Sequence, residues 1–308
     1  MKNIIIAVLT VLVLGLGAYL FVQNGSSDAD VTQVEDVLVD DISDLEDGDK
    51  GDVTQVTAQD KGESVIGVSL EGRDIVAYHY GEGETEILFV GGIHGGYSWN
   101  TTLVAHEAMD YFKDNLDVVP KNVKVTIIPV LNPDGLYKVL GTSTIRFSQS
   151  DVSPSQVVQV SGRFNANDVD LNRNFDCDWQ VEGTWQSRKV SGGDKAFSEA
   201  ESQAIQQYVE AQKLKAVIVW YSAAGGVFAS NCHTGILSET RVLTNTYADA
   251  SGYLAYEDFD FYQVTGDMVN WLAKKQIPAI SVLLTNHIDT EWTKNRAGIQ
   301  AVLEYYAE

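Results

Sequence analysis

The sequence has few basic residues and almost no cysteine, and both shortages exclude certain functions. Its 308 residues carry 43 acidic side chains against 21 Lys and Arg, which gives a formal net charge of −22. A nucleic-acid partner is not expected, since phosphate binding requires a basic face. Only Cys177 and Cys232 occur. Neither has a second cysteine at zinc-ligand spacing, so a zinc site built on cysteine is not expected either.

A long apolar run lies near the start of the chain. Residues 4–22 are almost all apolar and follow Lys2, and this length suits a helix that spans a hydrocarbon core. The alternative is a cleaved signal peptide with an Ala-x-Ala-like site, a pattern that is not evident here. We predict a signal anchor at residues 1–24, with the domain outside the cytoplasm, or secreted if the segment is cleaved. In an exported chain the two cysteines are expected to pair.

Residues 25–62 differ in composition from the rest of the chain. They are rich in Asp and Glu and contain no aromatic residue, so we predict an acidic, disordered linker that repels itself and stays extended. The whole chain is 44% hydrophobic and 10% aromatic, which is enough to bury a sizeable core. We place the folded domain at residues 63–308.

Within this domain, short apolar runs alternate with amphipathic stretches. We predict strands at residues 87–90, 125–130, 216–220 and 280–284, each bounded by turn-forming residues. We predict helices at residues 101–112, 198–211, 266–275 and 292–305. Ser198 and Glu201 have the spacing of a capping box. The alternation predicts an α/β protein, a three-layer α/β/α sandwich with a mixed, mainly parallel central sheet.

Glycines and polar residues gather directly after three of the predicted strands, at residues 91–96, 131–135 and 221–226. In open α/β sheets, ligands bind beyond the carboxyl ends of the strands. Glycine also allows the backbone to approach a ligand closely. The pattern therefore predicts a binding site at this edge of the sheet.

Four segments carry a recognisable pattern. They read GGIHGG at 91–96, NPDG at 132–135, GRFNANDVDLNRNF at 162–175 and YQVTGDMVNW at 262–271. The third is the most specific, because it combines the DLNRNF core, which contains Arg173, with a second arginine, Arg163, ten residues earlier. In this order the segments resemble the M14 family of zinc carboxypeptidases, over about residues 63–308. The resemblance implies that family's fold, its zinc cofactor and its action on peptide C-termini.

The resemblance assigns roles on the substrate side of the site. Asn172 and Arg173 would clamp a terminal carboxylate, for which Arg is a planar bidentate partner. Arg163 would polarise the scissile carbonyl and stabilise the developing oxyanion. Tyr262 would close over the bound peptide. Val269 would lie at the floor of the pocket for the terminal side chain, which favours an apolar residue there.

On the metal side, the resemblance matches one position of four. A catalytic zinc takes three protein ligands, which in this family are a His, a Glu three or four residues later and a second His. A further Glu is the general base. His94 is present, but Tyr97 and Ser98 stand where that first Glu is expected, and we assign the position to Ser98. Tyr221 stands at the second His and Leu283 at the general base.

Three functions remain open from the sequence. One is a pseudoenzyme that binds a peptide C-terminus or another carboxylate ligand without hydrolysing it. Another is an active zinc carboxypeptidase with a rearranged metal site that uses His233, His287 or Glu291. A structural cell-surface module is the third, and it would leave the arginines without a purpose. Zinc is expected from the family, but a single imidazole binds it poorly.

Overall fold

Eight strands form the central sheet in the computed structural model, which describes residues 62–143 and 146–307. In chain order they are β1 (Glu63–Val68), β2 (Asp74–Tyr80), β3 (Thr85–Val90), β4 (Val123–Ile128), β7 (Leu214–Ser222), β8 (Gly226–Ala229), β9 (Ala255–Tyr256) and β10 (Ala279–Leu284). Across the sheet the order is β1-β2-β4-β3-β7-β10-β8-β9. A separate hairpin pairs β5 (Glu182–Trp185) with β6 (Arg188–Ser191).

The four central strands β4, β3, β7 and β10 run parallel to one another, whereas β1, β2 and β8 add antiparallel pairs. The central strands are almost wholly buried, because helices cover both faces of a parallel sheet. All four predicted strands are present and the mixed, mainly parallel sheet is confirmed. Four further strands of the sheet and the hairpin were not predicted.

Seven α-helices accompany the sheet in the part of the chain that is described. They are α1 (Trp99–Asp114), α2 (Pro133–Leu140), α3 (Gln156–Ser161), α4 (Ala200–Ala211), α5 (Ser238–Ser251), α6 (Met268–Lys274) and α7 (Trp292–Tyr306). Apolar residues of α1, α5 and α7 pack on one face of the sheet, and those of α4 and α6 pack on the other. The α/β/α sandwich is therefore confirmed, as are the four predicted helices.

Alternation along the strands decides which side chains reach the second face. On β7, Ile218 and Trp220 pack with α1, α5 and α7, while Tyr221 packs on the side of α4 and α6. On β10, Leu283 lies on the same side as Tyr221, and the two are partners in the parallel register. The carboxyl ends of these strands thus present Tyr221 and Leu283 next to each other.

The predicted capping box at the start of α4 is wrong. The helix begins at Ala200, one position later than the box requires, and Glu199 occupies the N-cap. The Ser198 hydroxyl donates to the Glu199 carboxylate instead of capping the helix. Asn174 organises this helix start, because its side-chain oxygen accepts from the Glu199 N–H and the Ser202 hydroxyl. A long-range contact therefore replaces the local cap.

Cys177 and Cys232 form a disulfide, so the predicted pairing of the two cysteines is confirmed. The signal anchor predicted at residues 1–24 and nearly all of the linker predicted at residues 25–62 lie outside the described residues. Within the described residues, no helix combines the length and apolar character needed to span a bilayer.

A buried histidine on α1 makes stability depend on pH. Burial, with a smaller contribution from Arg146, lowers the pKa of His106 to about 4. The unfolded chain binds this proton near pH 6.5. The contribution of the neutral ring to the free energy of unfolding is therefore fully present above pH 6.5, and it is lost as the pH falls towards 4. We expect His106 to account for about 3 kcal/mol of this loss. Urea unfolding at pH 7, 5.5 and 4 should show a smaller loss in His106→Gln than in the wild type, while the exposed-site variant His233→Gln should match the wild type.

Candidate functional site

A cavity of about 790 Å³ opens at the carboxyl ends of the central strands. This size and position suit a small-molecule or peptide site. Eight residues singled out from the sequence line it: His94, Arg163, Asn172, Arg173, Tyr221, Tyr262, Val269 and Leu283. The structure therefore brings together side chains from distant segments of the chain.

Ser98 is the one assigned position that does not line the cavity. It precedes α1 as the N-cap residue, and its buried hydroxyl has no hydrogen-bond partner in the described part of the chain. Tyr97 lines the cavity instead and packs edge-on against Trp185 of the β5–β6 hairpin. Because the chain turns into α1 after Tyr97, the side chain three residues after His94 enters the site and the fourth does not.

His94 is buried against Tyr221, with ring centroids 5.5 Å apart. Neither of its ring nitrogens has a hydrogen-bond partner among the described residues. Nε2 lies 3.7 Å from the Asp170 carboxylate, beyond hydrogen-bond range. Burial and the charge of Arg163 lower the pKa of His94 well below its ordinary value, so the imidazole is neutral at neutral pH.

Arg163 is held by Asp170 in a buried ion pair. Its Nε donates to a carboxylate oxygen of Asp170 at 2.9 Å, and its Nη2 lies 2.8 Å from the same oxygen. Its guanidinium also lies over the Trp185 ring, 4.3 Å from the centroid. Burial raises the pKa of Asp170, but the charges of Arg163 and Arg173 outweigh burial and keep the pKa below its usual range. Both N–H groups of Nη1 of Arg163 are without a hydrogen-bond partner in the described residues and remain for a ligand.

Arg173 is only 1% exposed, and no carboxylate of the described residues forms an ion pair with it. Its Nε and Nη2 donate to the Thr184 carbonyl, at 3.1 and 2.7 Å, and its Nη1 donates to the Asn172 carbonyl at 2.6 Å. One N–H group therefore remains on each terminal nitrogen. Tyr262 lies over this guanidinium at 5.9 Å. The cavity contains a buried positive charge with donors left for an anion.

Tyr221 and Asn172 form a second polar contact in the cavity. The Tyr221 hydroxyl donates to the Asn172 side-chain oxygen at 3.2 Å, and the Asn172 amide nitrogen donates to Asp267 at 2.8 Å. Burial raises the pKa of Tyr221 well above its ordinary value. Tyr221 therefore stays protonated and acts as a donor to Asn172.

Gly266 supports the backbone of the arginine segment. Its N–H donates to the Cys177 carbonyl, and its carbonyl accepts from the Phe175 N–H. Its φ is 63°, and a Cβ there would clash with the carbonyl of Arg173.

We expect Gly266→Ala to lower the free energy of unfolding by about 2–4 kcal/mol, because positive φ and overpacking both add cost. Gly252→Ala is the matched control, since Gly252 has a φ of 74° and no atom within 4 Å of the place that a Cβ would occupy. It should lose only about 1 kcal/mol. Urea unfolding measures both variants. Equal losses of unfolding free energy would contradict the prediction, because they would show that the Arg173 carbonyl moves away from the added Cβ at no cost.

A sequence profile of the zinc carboxypeptidase family matches residues 57–298 of the chain. The chain belongs to this family. A zinc carboxypeptidase of Simulium vittatum is 30% identical over 169 residues, which are 51% of this chain and 52% of that protein. The chain thus spans about half the length of this relative.

Two solved structures share the fold of this zinc carboxypeptidase family member. The murein-tripeptide amidase of Escherichia coli O157 is 18% identical, with a TM-score of 0.54 over 80% of this chain and 93% of that one. The carboxypeptidase A of Helicoverpa armigera is 17% identical, with a TM-score of 0.58 over 80% of this chain and 66% of that one. At these identities the likeness shows the fold alone.

The side chains of this family member do not fit a catalytic zinc centre. In the register assigned from the sequence, the cavity offers Tyr97, Tyr221 and Leu283 beside His94. Leu283 has no donor atom for a metal, and the Tyr221 hydroxyl stays protonated and donates to Asn172. Among residues 62–143 and 146–307, no group of three or more His, Cys, Asp or Glu side chains could hold a metal ion.

Of the three residues considered as replacements, His287 alone lines the cavity. His233 is an exposed side chain that contacts Asp178 at 2.6 Å. Glu291 is held outside the cavity by the Thr285 N–H and hydroxyl and by the Tyr253 hydroxyl. These contacts, and a charge contact with Lys294, keep the pKa of Glu291 below its ordinary value despite partial burial.

Trp185 was not considered from the sequence, whereas Tyr97 was considered as the alternative to Ser98 and His287 as a replacement metal ligand. Trp185 reaches the cavity through a hairpin whose strands are only four residues long, too short for a clear alternation pattern. His287 follows β10 in a loop, and a single histidine in a loop carries no signal of its own. Contact between Tyr97 and His287, with ring centroids 4.5 Å apart, is visible only in the folded chain.

Proposed function

We propose that this zinc carboxypeptidase family member binds the C-terminal carboxylate of a peptide and does not hydrolyse it by the zinc mechanism. The observation that carries the proposal is Arg173, a buried guanidinium that forms no direct ion pair with an acidic side chain of the described residues. The charges of Asp170 and Asp267 act on it only from beyond ion-pair distance. Burying an unpaired charge costs several kcal/mol. A ligand carboxylate would supply the missing partner and form two charge-assisted hydrogen bonds.

The charge balance of the chain supports this proposal. The protein carries 43 acidic residues against 21 Lys and Arg, so acids to pair with Arg173 are abundant. Asp170 instead pairs with Arg163, and Asp267 accepts from Asn172. Leaving Arg173 without a directly paired carboxylate in so acidic a protein is consistent with a site kept free for an anionic ligand.

The surroundings of Arg173 favour a peptide over a simple anion. The cavity of about 790 Å³ is lined by Val269, Ser281 and Asn231 as well as by Arg173, and this volume has room for a terminal side chain. Tyr262 covers Arg173 from one side. The Asn231 side-chain oxygen is buried without a partner among the described residues, so a terminal side chain with a polar donor would gain a hydrogen bond there. The cavity would then accept polar as well as apolar terminal side chains, whereas Val269 alone suggests a preference for apolar ones.

The substitutions argue against hydrolysis by the family's zinc mechanism. Removing a general base alone costs about 10²–10⁴ in rate, and Leu283 stands at that position. Removing the metal as well eliminates both the activated water and the Lewis acid. A cavity that has an arginine to bind a ligand carboxylate, but has Leu283 at the assigned position of the general base, suits binding of a peptide better than its hydrolysis.

A second candidate function is an active carboxypeptidase with a rearranged metal site. One observation favours it: His94 has two ring nitrogens without partners among the described residues, and His287 lines the same cavity. Two imidazoles are fewer ligands than a catalytic zinc takes in proteins. This candidate requires zinc in the purified protein and loss of activity on treatment with a chelator.

Calorimetric titration tests the proposal with benzoyl-glycyl-leucine and its C-terminal amide, using full-length protein dialysed against a chelator. We expect the free acid to bind about 30-fold more tightly than the amide, because only the acid offers a carboxylate. No leucine should be released from the acid. Equal binding of acid and amide would contradict the proposal, and leucine release restored by added zinc would establish the second candidate.

A further inference from the structure

We propose that Nε2 of His287 is a hydrogen-bond acceptor for the terminal peptide N–H of the bound ligand. This inference rests on the proposed function, because it concerns the same cavity. It assigns the ligand a second requirement beyond its carboxylate. The ligand must offer an N–H donor, which a peptide has and an ester or a simple dicarboxylate lacks.

The first step is the orientation of Asn100, a fully buried residue of α1. Its side-chain nitrogen lies 2.8 Å from the Asn286 carbonyl and 3.0 Å from the Asp289 carbonyl. Both partners are acceptors, so this atom must be the NH₂ group. The Asn100 side-chain oxygen is thereby fixed on the other side, and it is 3.2 Å from the Ser222 hydroxyl.

The second step follows from that oxygen, which can only accept. Ser222 must donate its single hydroxyl proton to Asn100. The Ser222 oxygen is also 2.7 Å from Nδ1 of His287. Since the serine proton is already used, Nδ1 must carry the proton of this contact. The neutral imidazole is then protonated at Nδ1 and has a lone pair at Nε2.

The loop that carries His287 is held by several contacts. The Asn286 side-chain oxygen accepts from the N–H groups of Ile288 and Asp289, both at 2.8 Å. Glu291 ties the loop back to Thr285. The ring of His287 also packs against Tyr97. The position of Nε2 is therefore set before a ligand arrives, which lowers the entropy cost of binding.

Nε2 of His287 has no partner among the described residues, although the side chain lines the cavity. Burial, and then the charge of Arg163, lowers the pKa of His287 to about 4. The ring is accordingly neutral at neutral pH and a weak base. A weak base with a fixed lone pair suits acceptance of a hydrogen bond better than removal of a proton from water.

Arg163 and His287 together suit the two polar groups of one peptide unit. The unit is planar, and its C=O and N–H point in opposite directions. Arg163 keeps both N–H groups of Nη1 for the carbonyl after pairing with Asp170. His287 offers the acceptor that the N–H requires. Arg173 would hold the carboxylate of the same terminal residue.

The experiment compares benzoyl-glycyl-leucine with its depsipeptide, in which an ester oxygen replaces the terminal N–H. We expect the wild type to bind the peptide about 3–10-fold more tightly than the depsipeptide. His287→Phe should bind both with equal affinity. His233→Phe is the matched control, because His233 is exposed and outside the cavity, and it should keep the wild-type ratio. Thermal unfolding of each variant checks that the fold is intact.

A spectroscopic readout tests the hydrogen-bond chain independently of affinity. Histidine ¹⁵N shifts should report a proton on Nδ1 of His287 in the wild type, and Ser222→Ala should remove this tautomer preference. Equal binding of peptide and depsipeptide by the wild type, or an Nε2–H tautomer, would overturn the inference while leaving the carboxylate proposal standing. Failure of both ligands to bind would overturn the proposed function itself.

Discussion

Replacing Arg173 with methionine is expected to weaken the binding of a free C-terminal carboxylate by about 100-fold or more. Truncating one partner of a buried, hydrogen-bonded charge pair costs about 2–5 kcal/mol, and Arg173 is the buried cation of the cavity without an acidic partner in the described residues. Methionine retains an unbranched stem of similar shape beside Gly183, which contacts the arginine stem closely. The measurement is calorimetric titration with benzoyl-glycyl-leucine.

The loss should be specific to the carboxylate. Arg173→Met should bind the C-terminal amide of the same peptide about as the wild type does, so the preference for the acid disappears. Arg173→Lys keeps the charge but lacks the planar fork, and we expect an intermediate loss. Arg188→Met is the matched control, because Arg188 is exposed on the β5–β6 hairpin and does not line the cavity.

Two outcomes would contradict the role of Arg173. One is unchanged affinity for the acid in a folded Arg173→Met protein. The other is an equal loss for acid and amide, which would indicate disturbance of the cavity in place of a lost ion pair. Removing the guanidinium leaves the Thr184 and Asn172 carbonyls without its hydrogen bonds, so thermal unfolding must accompany the titrations.

The sequence was sufficient to predict the central layer of the fold. The strands β3, β4, β7 and β10 are apolar runs bounded by turn residues, and burial on both faces produces that signal directly. The edge strand β1 alternates between exposed and half-buried residues, and β9 has only two residues. Neither is long or apolar enough to stand out from a loop.

All the residues assigned to the substrate side line the cavity, whereas one position assigned to the metal side, Ser98, does not. Arg163, Asn172 and Arg173 lie in one motif whose spacing is rigid, and all three line the cavity. Choosing between Tyr97 and Ser98 depends instead on where α1 begins, and a shift of one residue at a helix start moves a side chain from the cavity into the core. The structure places Tyr97 in the cavity and Ser98 at the N-cap.

The site contacts that could not be predicted from the sequence are contacts between distant segments of the chain. The hydrogen-bond chain from Asn100 through Ser222 to His287 joins α1, the end of β7 and the loop after β10. Tyr97 contacts His287, and Tyr221 donates to Asn172. Tyr97 and Tyr221, which stand at positions where the sequence analysis expected metal ligands, thus make specific contacts of their own.

Replacing Tyr97 with Glu, Tyr221 with His and Leu283 with Glu in one chain is expected to create a zinc site, with about one zinc per chain by elemental analysis. His94 already offers ring nitrogens without partners among the described residues, and Tyr97 and Tyr221 line the cavity with it, so the two changes supply the three ligands that a catalytic zinc takes. At zinc concentrations about 100-fold above Kd, the bound ion should add about 2.7 kcal/mol to stability, visible as a higher Tm that a chelator reverses.

Hydrolysis should follow only when the base is restored together with the ligands. The variant that lacks Leu283→Glu should bind zinc but release leucine from benzoyl-glycyl-leucine about 10²–10⁴-fold more slowly than the triple variant. A triple variant with Ser98→Glu in place of Tyr97→Glu is the matched control. It should bind little zinc and lose stability, because Ser98 is buried outside the cavity and an unpaired carboxylate there is costly. Zinc binding by the Ser98 variant and not by the Tyr97 variant would support the position assigned from the sequence, Ser98, and would reject Tyr97. Binding by neither would show that the backbone around His94 no longer permits the metal geometry.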